Sequence, residues 1–204
     1  MIATLPKRVV LCSVWLLAVT AGTVAFWNYG GTPGSTGTAP QQWPAGISIP
    51  LDPAHDTLVM FAHPRCACTR ASVEELNRVM AECQGKVATH VYFFKPDKLP
   101  ADWVQTGLRE SAAAIPGVIV HDDANGELAE RFGGETSGYV VLYNPKGQLL
   151  FSGGITGSRG HAGDNAGESA LVSLLNGHAA NVERTQVYGC SLLDKLPGQD
   201  SAPR

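Results

Sequence analysis

The sequence predicts an α/β domain that follows an apolar N-terminal helix. An apolar run at Leu58–Phe61 indicates a buried strand. The segment after this run carries apolar residues at spacings of three, four and three, which place them on one helix face: Val73, Leu76, Met80 and Cys83. Further β-rich runs alternate with helical patterns along the chain. We therefore expect a sheet packed against helices.

Length and charge limit the possible functions. The chain has 204 residues, which is enough for one domain of common size with tails. Its formal net charge of −3 provides no broad basic surface, so we expect no nucleic-acid partner.

The N-terminal segment has the composition of a membrane anchor. No charged residue occurs in 9–27, and about nineteen helical residues are just long enough to cross a hydrocarbon core. Lys7 and Arg8 precede this stretch, and the next charged residue is Asp52. This asymmetry predicts a single-pass protein of the inner or cell membrane, with residues 1–8 in the cytoplasm and the domain on the periplasmic or extracytoplasmic side. A cleaved signal peptide is the alternative, although no clean A-x-A site follows the apolar stretch.

Composition divides the remaining chain into three parts. Residues 28–46 are rich in Gly, Pro, Ser and Thr, which predicts a flexible linker. The folded domain is expected over residues 47–177. Residues 178–204 form a tail that contains Cys190, and its end at 198–204 is expected to be disordered.

The elements of the domain follow from apolar patterns and turn residues. After the first strand and helix, the patterns predict a strand at 87–94, a helix at 101–114, a strand at 118–121 and a short helix at 127–132. A hairpin follows, with strands at 139–143 and 148–151 around the turn 144–147. A glycine-rich loop at 153–167 and a last helix from Glu168 complete the domain.

Two cysteines lie between the first strand and its helix. A thiolate at a helix N-terminus is stabilised by the helix dipole and by free backbone N–H groups, so the pKa of Cys66 or Cys68 is expected to be low. Arg65 and Arg70 add positive charge on either side. This effect requires the helix to begin near Ala67. A capping box beginning at Ser72 would instead leave both thiols in a loop, and the local sequence leaves both starts open.

The other cysteines leave several pairings open. A Cys66–Cys68 disulfide would close a small strained ring and would exchange easily. Alternatively, one of the two pairs with Cys190 and leaves the other free to attack. Cys83 is expected in the core and Cys12 in the membrane segment. The remaining alternative is that Cys66 and Cys68 serve only in packing.

Two histidines are candidates for the thiol site. His63 lies three residues before Cys66, and His161 lies in the glycine-rich loop. Either imidazole could accept a thiol proton or bind a metal, and the alternatives are a loop-capping His63 and a solvated His161. The remaining histidines are expected at the surface: His55, His90, His121 and His178. Arg159 and Asp164 are expected to form a local ion pair.

The order of elements and four sequence stretches resemble known redoxins. The stretches HPRCACTRAS, DDANGELAERFG, VVLYNPKGQLLFSGGITG and VYGC are similar to membrane-anchored redoxins of the RedB type, over residues 47–192. The resemblance implies a three-layer α/β/α thioredoxin-like domain. It also places Cys66 within a residue or two of the nucleophilic position and Cys68 at or near the resolving position. The same resemblance implies that the helix begins near Ala67, with Ser72 on its solvent face, and we favour this start. Two departures are the CxC spacing, where thioredoxins have CxxC, and Gly138 at the position of their cis-proline.

Three functions are compatible with these features. The first is a thiol-disulfide oxidoreductase that acts on protein thiols or disulfides outside the cytoplasm without a required cofactor, and its candidate catalytic residues are Cys66, Cys68, Cys190, His161 and Arg65. The second is a Cu(I)-binding or copper-delivering protein with Cys66, Cys68, His63 and His161 as ligands. The third is a non-catalytic module that binds a partner protein.

Overall fold

The structure, a computed structural model, describes residues 6–47 and 49–193. The helices of the described chain are α1 (Lys7–Gly31), α2 (Thr69–Glu82), α3 (Gly107–Ala113), α4 (Glu127–Arg131) and α5 (Ala166–Leu175). The strands are β1 (Asp56–Ala62), β2 (Val87–Lys95), β3 (Val118–Ala124), β4 (Tyr139–Tyr143) and β5 (Leu149–Gly154).

These strands form one mixed sheet in the order β3-β2-β1-β4-β5. β1 pairs in parallel with β2 and antiparallel with β4, so it lies at the centre of the sheet. The central position explains its unbroken apolar sequence, because both of its faces are covered. The strand order and the antiparallel β4–β5 hairpin are those of the thioredoxin-like fold, and the prediction of this fold is confirmed.

Alternate residues of β1 point into two different cores. Leu58 and Met60 pack with residues of α2, α3 and α5 on one face of the sheet. Val59 and Phe61 pack on the other face, against α4 and against segments that lie before and after the domain core. Cys83 is fully buried in the first core, as predicted.

The apolar N-terminal segment forms a single helix, α1. This helix has 25 residues and a mean hydropathy of 2.2 over its most apolar part, and none of that part is buried. It is therefore long and apolar enough to cross a membrane, as a signal sequence would also be. The boundaries of the predicted anchor, and the side of the membrane on which the domain lies, stay predictions.

The prediction that residues 28–46 form a flexible linker is wrong for most of that segment. α1 continues to Gly31, and the chain after it packs on the second core, with Ala39 only 2% exposed. Trp43 makes edge-to-face contacts with Phe132 and Tyr143, at 5.3 and 5.1 Å between ring centroids. The Tyr143 hydroxyl donates a hydrogen bond to the Pro40 carbonyl oxygen over 2.7 Å. Composition misled the prediction because this segment is ordered mainly through backbone groups and one aromatic ring.

The tail predicted at residues 178–204 also returns to the domain. Val187 and Leu192 are each 1% exposed and belong to the second core. The Leu192 amide donates a hydrogen bond to the Glu135 carbonyl oxygen over 2.8 Å. The disorder predicted for residues 198–204 concerns a segment outside the described residues.

Three local predictions need correction. The helix predicted at 101–114 is instead a 3-10 turn at Ala101–Val104 followed by α3, because Gln105 adopts an extended conformation. The strand predicted at 118–121 continues to Ala124. His90 is not a surface residue: it is 7% exposed, and its Nδ1 lies 3.0 Å from Nε2 of the partly buried His121.

Candidate active site

Cys66 and Cys68 lie in the turn that joins β1 to α2. The Thr69 amide donates to the Cys66 carbonyl oxygen and the Ala71 amide to that of Cys68, both over 3.2 Å. Cys68 has helical dihedral angles and immediately precedes Thr69, where α2 begins. The helix thus starts close to the predicted Ala67 rather than at Ser72.

Cys190 approaches this turn from the far end of the chain. The Ser137 amide donates to the Cys190 carbonyl oxygen over 2.9 Å, which fixes the Cys190 backbone beside the start of β4. The Sγ atoms of Cys66 and Cys190 lie 2.7 Å apart. The Sγ atoms of Cys66, Cys68 and Cys190 all lie within 4.8 Å of one another. The structure therefore brings together all three cysteines that were predicted for the site.

The environments of Cys66 and Cys190 separate their pKa values. Burial by itself would raise the pKa of Cys66, but hydrogen bonds from Cys190 and Thr69 outweigh this effect and lower it. The Cys190 amide is one of these donors, 3.4 Å from the Cys66 sulfur. Burial, the hydrogen bond to Cys66 and the charge on Cys66 together raise the pKa of Cys190 to about 12. Cys66 is therefore the more acidic thiol of the pair, and Cys190 is the weaker acid.

Cys68 is the more exposed thiol of the turn, and it lies beside a cation. Burial and the neighbouring Cys66 raise the pKa of Cys68, whereas the charge of Arg159 lowers it. Arg159 belongs to the glycine-rich loop, and one of its guanidinium nitrogens donates to the Gly189 carbonyl oxygen, directly before Cys190. Arg159, and not the predicted Arg65, therefore brings positive charge to the thiols.

The glycine-rich loop is attached to α2 by a buried carboxylate. Glu75 has no exposed surface, and its Oε1 accepts a hydrogen bond from the Gly163 amide over 2.7 Å. The guanidinium of Arg78 lies 3.6 Å from the same oxygen. This attachment fixes the loop that carries Arg159.

Arg65 turns away from the sulfur cluster. Its guanidinium lies over the Trp103 ring, 5.2 Å from the centroid, and donates to the Trp103 carbonyl oxygen over 3.4 Å. The positive charge of Arg65 is therefore engaged with an aromatic face rather than with a thiol. Its predicted catalytic role has no support from these contacts.

The two candidate histidines do not join the three sulfurs as a potential metal-binding group in the described chain. His63 is 6% exposed, and its Nδ1 accepts a hydrogen bond from the Arg65 amide over 3.1 Å, which agrees with the loop-capping alternative. His161 is exposed, and its Nδ1 lies 2.8 Å from the Arg159 carbonyl oxygen. His161 is thus close in sequence to the site cation but is turned to its own loop.

Two hydroxyl groups beneath the thiols were not predicted from the sequence. Thr69 and Ser137 are buried, with their hydroxyl oxygens 2.5 Å apart. Ser137 Oγ also accepts a hydrogen bond from the His63 amide over 2.7 Å. These contacts join the turn before α2 to the loop before β4. Ser137 could be found only by knowing that the two loops meet.

Gly138 occupies the position that the resemblance aligned with a proline. Its φ of +91° lies in a region that favours glycine, and a Cβ there would come within 2.6 Å of Ser72 Oγ. Ser72 is 1% exposed, so the prediction of a solvent-facing Ser72 is wrong. The loop before β4 thus packs closely on α2.

A cavity of about 250 Å³ opens beside Cys66. Its lining combines two exposed arginines with apolar and small residues, and it includes Arg65, Arg70, Pro64, Leu108 and Gly107. Cys66 itself is only 3% exposed, and it is one of the residues that line this cavity.

Two solved structures share this fold over most of the chain. A hypothetical protein from Sinorhizobium meliloti 1021 aligns with a TM-score of 0.56 at 19% identity, over 79% of this chain and 94% of that one. An uncharacterized conserved protein from Geobacillus kaustophilus gives 0.57 at 18% identity, over 79% and 92%. The exposed lipoprotein thioredoxin Etrx1 from Streptococcus pneumoniae gives 0.44 at 16% identity, over 61% and 85%. No protein-family model and no curated protein matches the sequence.

Proposed function

We propose that the protein is a thiol-disulfide oxidoreductase in which Cys66 is the nucleophile and Cys190 the resolving thiol. The observation that carries the proposal is the 2.7 Å separation of their sulfur atoms. The opposite pKa shifts of the two thiols support the same assignment, because exchange starts from a thiolate. The CxC sequence contributes Cys68 as a third thiol within reach, which could also resolve an intermediate.

Reduction of a substrate proceeds in two steps. The Cys66 thiolate attacks one sulfur of the substrate disulfide, forming a mixed disulfide and releasing the other substrate sulfur as a thiolate. Cys190 then attacks the Cys66 sulfur, and its proton passes to the released thiolate. A Cys66–Cys190 bond forms and the second substrate thiolate leaves, to be protonated by solvent. The substrate gains two electrons, which a dithiol donor must later return to the cysteine pair.

The same charge logic explains how Cys190 becomes reactive when it is needed. In the reduced pair, the charge on Cys66 and the hydrogen bond to it help to hold the pKa of Cys190 high. Formation of the mixed disulfide removes that charge, so the pKa of Cys190 falls at the step in which it must attack. Burial raises the Cys190 pKa in both states, so the change on substrate binding comes from the loss of the Cys66 charge.

Location and family form a further part of the proposal. We assign α1 as a membrane anchor, with the domain outside the cytoplasm, because Lys7 and Arg8 precede the uncharged stretch. Disulfides persist in that compartment. The relation to RedB-type redoxins rests on the sequence resemblance alone.

Redox titration of the full chain tests the proposal. The protein is equilibrated over a range of dithiol-to-disulfide ratios, its free thiols are alkylated, and each cysteine is followed by mass spectrometry. We expect Cys66 and Cys190 to change state together, and a Cys68→Ser/Cys190→Ser variant, which lacks both thiols within reach, to retain a mixed disulfide on Cys66. Cysteines that never change state between strong reductant and mild oxidant would refute the assignment and favour the non-catalytic module.

A second candidate function is Cu(I) binding by the three cysteines. Three sulfur atoms within 4.8 Å of one another are a soft donor set that suits Cu(I). This set contains Cys190 in place of the predicted ligands His63 and His161. Anaerobic Cu(I) titration against a chelator tests it: wild type should bind far more tightly than a Cys66→Ser/Cys68→Ser/Cys190→Ser variant, and equal affinities would exclude it.

A further inference from the structure

The end of the apolar helix is bonded directly to the loop that carries Arg159. The Arg159 amide donates to the Gly30 carbonyl oxygen, and its Nε donates to that of Thr32, both over 3.0 Å. The guanidinium also lies over the Tyr29 ring, 5.0 Å from the centroid. Backbone, side-chain and aromatic contacts therefore all connect the last turn of α1 to this loop.

The chain that leaves α1 provides no flexible spacer. The Gly34 amide donates to the Val187 carbonyl oxygen over 2.8 Å, three residues before Cys190. The Thr136 hydroxyl donates to the Ser35 carbonyl oxygen over 2.6 Å, directly before Ser137. Both contacts lie next to residues that border the thiols. The helix end and the thiol site are thus parts of one packed unit.

These contacts fix the distance between the thiols and the membrane. Trp27 ends the uncharged apolar stretch, and Tyr29 lies two residues further, a rise of about 3 Å along a helix. Aromatic side chains of this kind favour the membrane interface, and each polar layer of a bilayer is about 5–7 Å thick. Arg159 contacts the Tyr29 ring and the Gly189 carbonyl oxygen, and its charge also acts on Cys68. The site therefore lies next to the helix turn that emerges from the bilayer.

We propose that the thiol site is held at the bilayer surface, and that its substrates are cysteines of integral membrane proteins within the first few residues outside the membrane. The substrate class rests on the proposed oxidoreductase function, whereas the position of the site does not. A rigidly docked site cannot search the space far from the bilayer, as a domain on a flexible tether would. Cysteines that lie at the same distance from the bilayer as the site are presented to it at a high effective concentration.

Depth measurement by electron paramagnetic resonance tests the position without any chemistry at the thiols. The full chain, with its native cysteines replaced, carries a nitroxide at Ala67→Cys or Arg70→Cys and is reconstituted in phospholipid nanodiscs. Both positions are exposed and lie beside the thiols. A control label at Lys146→Cys sits in the exposed β4–β5 turn, at the other end of the sheet.

Oxygen and a water-soluble nickel complex report the depth of each label. We expect a higher ratio of oxygen to nickel accessibility at positions 67 and 70 than at position 146. Equal ratios at all three positions would overturn the proposal, whether or not the protein catalyses exchange. Loss of α1 from the membrane-isolated protein would overturn it as well.

Two synthetic transmembrane peptides test the substrate class. One carries a disulfide about three residues beyond its apolar stretch and the other about twenty residues beyond it, on a flexible segment. We expect the near disulfide to react at least about tenfold faster. A Gly-Ser insertion of about fifteen residues between Gly31 and Thr32, combined with Tyr29→Ala, should bring the two rates close together, because the insertion frees the chain after α1 and the substitution removes the ring contact with Arg159. Equal rates in wild type, or an unchanged preference after insertion, would contradict the substrate class. If neither peptide nor a small soluble disulfide reacts, the oxidoreductase function fails instead.

Discussion

At the residue scale, the acidity of Cys66 depends on the donors around its buried sulfur. Burial disfavours a thiolate, so the lowered pKa of Cys66 depends on its hydrogen bonds with Cys190 and Thr69. This balance makes the reactivity of one cysteine dependent on the protonation of another. The two thiols therefore titrate as a pair, and a substitution at either one alters both.

The donor role of Cys190 can be tested with two substitutions. On a background in which Cys66 is the only other remaining cysteine, Cys190→Ala removes the S–H donor, whereas Cys190→Ser keeps a hydroxyl donor. We expect the pKa of Cys66 to rise in the alanine variant and to rise less in the serine variant. Ultraviolet absorbance of the thiolate as a function of pH measures the Cys66 pKa in each protein. Identical Cys66 midpoints in the parent protein and in both variants would show that the Cys190 side chain does not stabilise the Cys66 thiolate.

The role of Arg159 can be tested at Cys68. The guanidinium lowers the pKa of Cys68 against the opposing effects of burial and Cys66. Arg159→Met should raise the pKa of Cys68, so Cys68 should be alkylated more slowly at neutral pH. Arg159→Lys keeps the positive charge and should keep most of the alkylation rate. Peptide mass spectrometry after timed alkylation measures the rates. Equal rates in the two variants would mean that packing, and not charge, matters at this position.

The sequence predicted some of these residues and missed others for a physical reason. Cys66 and Cys68 were placed correctly because a strand, a loop and a helix follow each other locally. Arg159 was expected to pair with Asp164, a neighbour in sequence, but its contacts lie with Gly189 and the end of α1. Such contacts form only when distant segments meet, and no local pattern records them.

At the element scale, the close approach of the loop before β4 to α2 depends on a glycine. We expect Gly138→Ala to destabilise the fold by more than about 1 kcal/mol, because its φ is positive and its Cβ would clash with Ser72. Gly85→Ala is the matched control, since Gly85 has a φ of +73° but open space around it. Chemical denaturation compares the two variants, and an equal loss of stability would show that the contact with Ser72 can relax.

A second element-scale prediction concerns the attachment of the glycine-rich loop to α2. Glu75→Ala leaves the Gly163 amide without its acceptor, and we expect a loss of about 1–3 kcal/mol in the free energy of unfolding. Glu75→Gln retains an oxygen acceptor and should cost less. Denaturation and hydrogen exchange at Gly163 measure both effects. An alanine variant as stable and as protected as the glutamine variant would show that Glu75 does not fix the loop.

Element existence was more predictable than element ends. The apolar run of β1 and the helical spacing in α2 were sufficient, since each reflects a buried face. The helix predicted at 101–114 failed because Gln105 breaks it and Thr106 starts α3 again by accepting from the Arg109 amide. Caps of this kind compete with helix continuation at single residues, which periodicity does not resolve.

At the scale of the whole molecule, two segments outside the sheet and its helices, one after α1 and one around Cys190, pack on the same face of the sheet. Residues of both segments, such as Ala39 and Leu192, are buried in the second core, on the face of the sheet that α4 also covers. The alternating pattern predicted the sheet itself. It did not predict this cover, because a segment rich in Gly, Pro and Ser has the composition of a linker even when Ala39 and Trp43 pack within it.

Trp43 tests whether this cover contributes to stability. In the full chain, Trp43→Ala removes the ring contacts to Phe132 and Tyr143, and we expect a loss of about 2 kcal/mol or more in the free energy of unfolding. Lys146→Ala, at an exposed turn, is the control and should change little. Denaturation in detergent measures both. Equal stability of the two variants would restore the description of this segment as a flexible linker.

The disulfide connectivity of the oxidised, membrane-isolated protein is the most direct test of whether Cys66 exchanges with Cys190. Proteolysis of the alkylated, unreduced protein followed by mass spectrometry of the linked peptides identifies the bond. We expect a Cys66–Cys190 bond, with Cys68 free and alkylated. A Cys66–Cys68 bond, or all three thiols free under oxidising conditions, would contradict it.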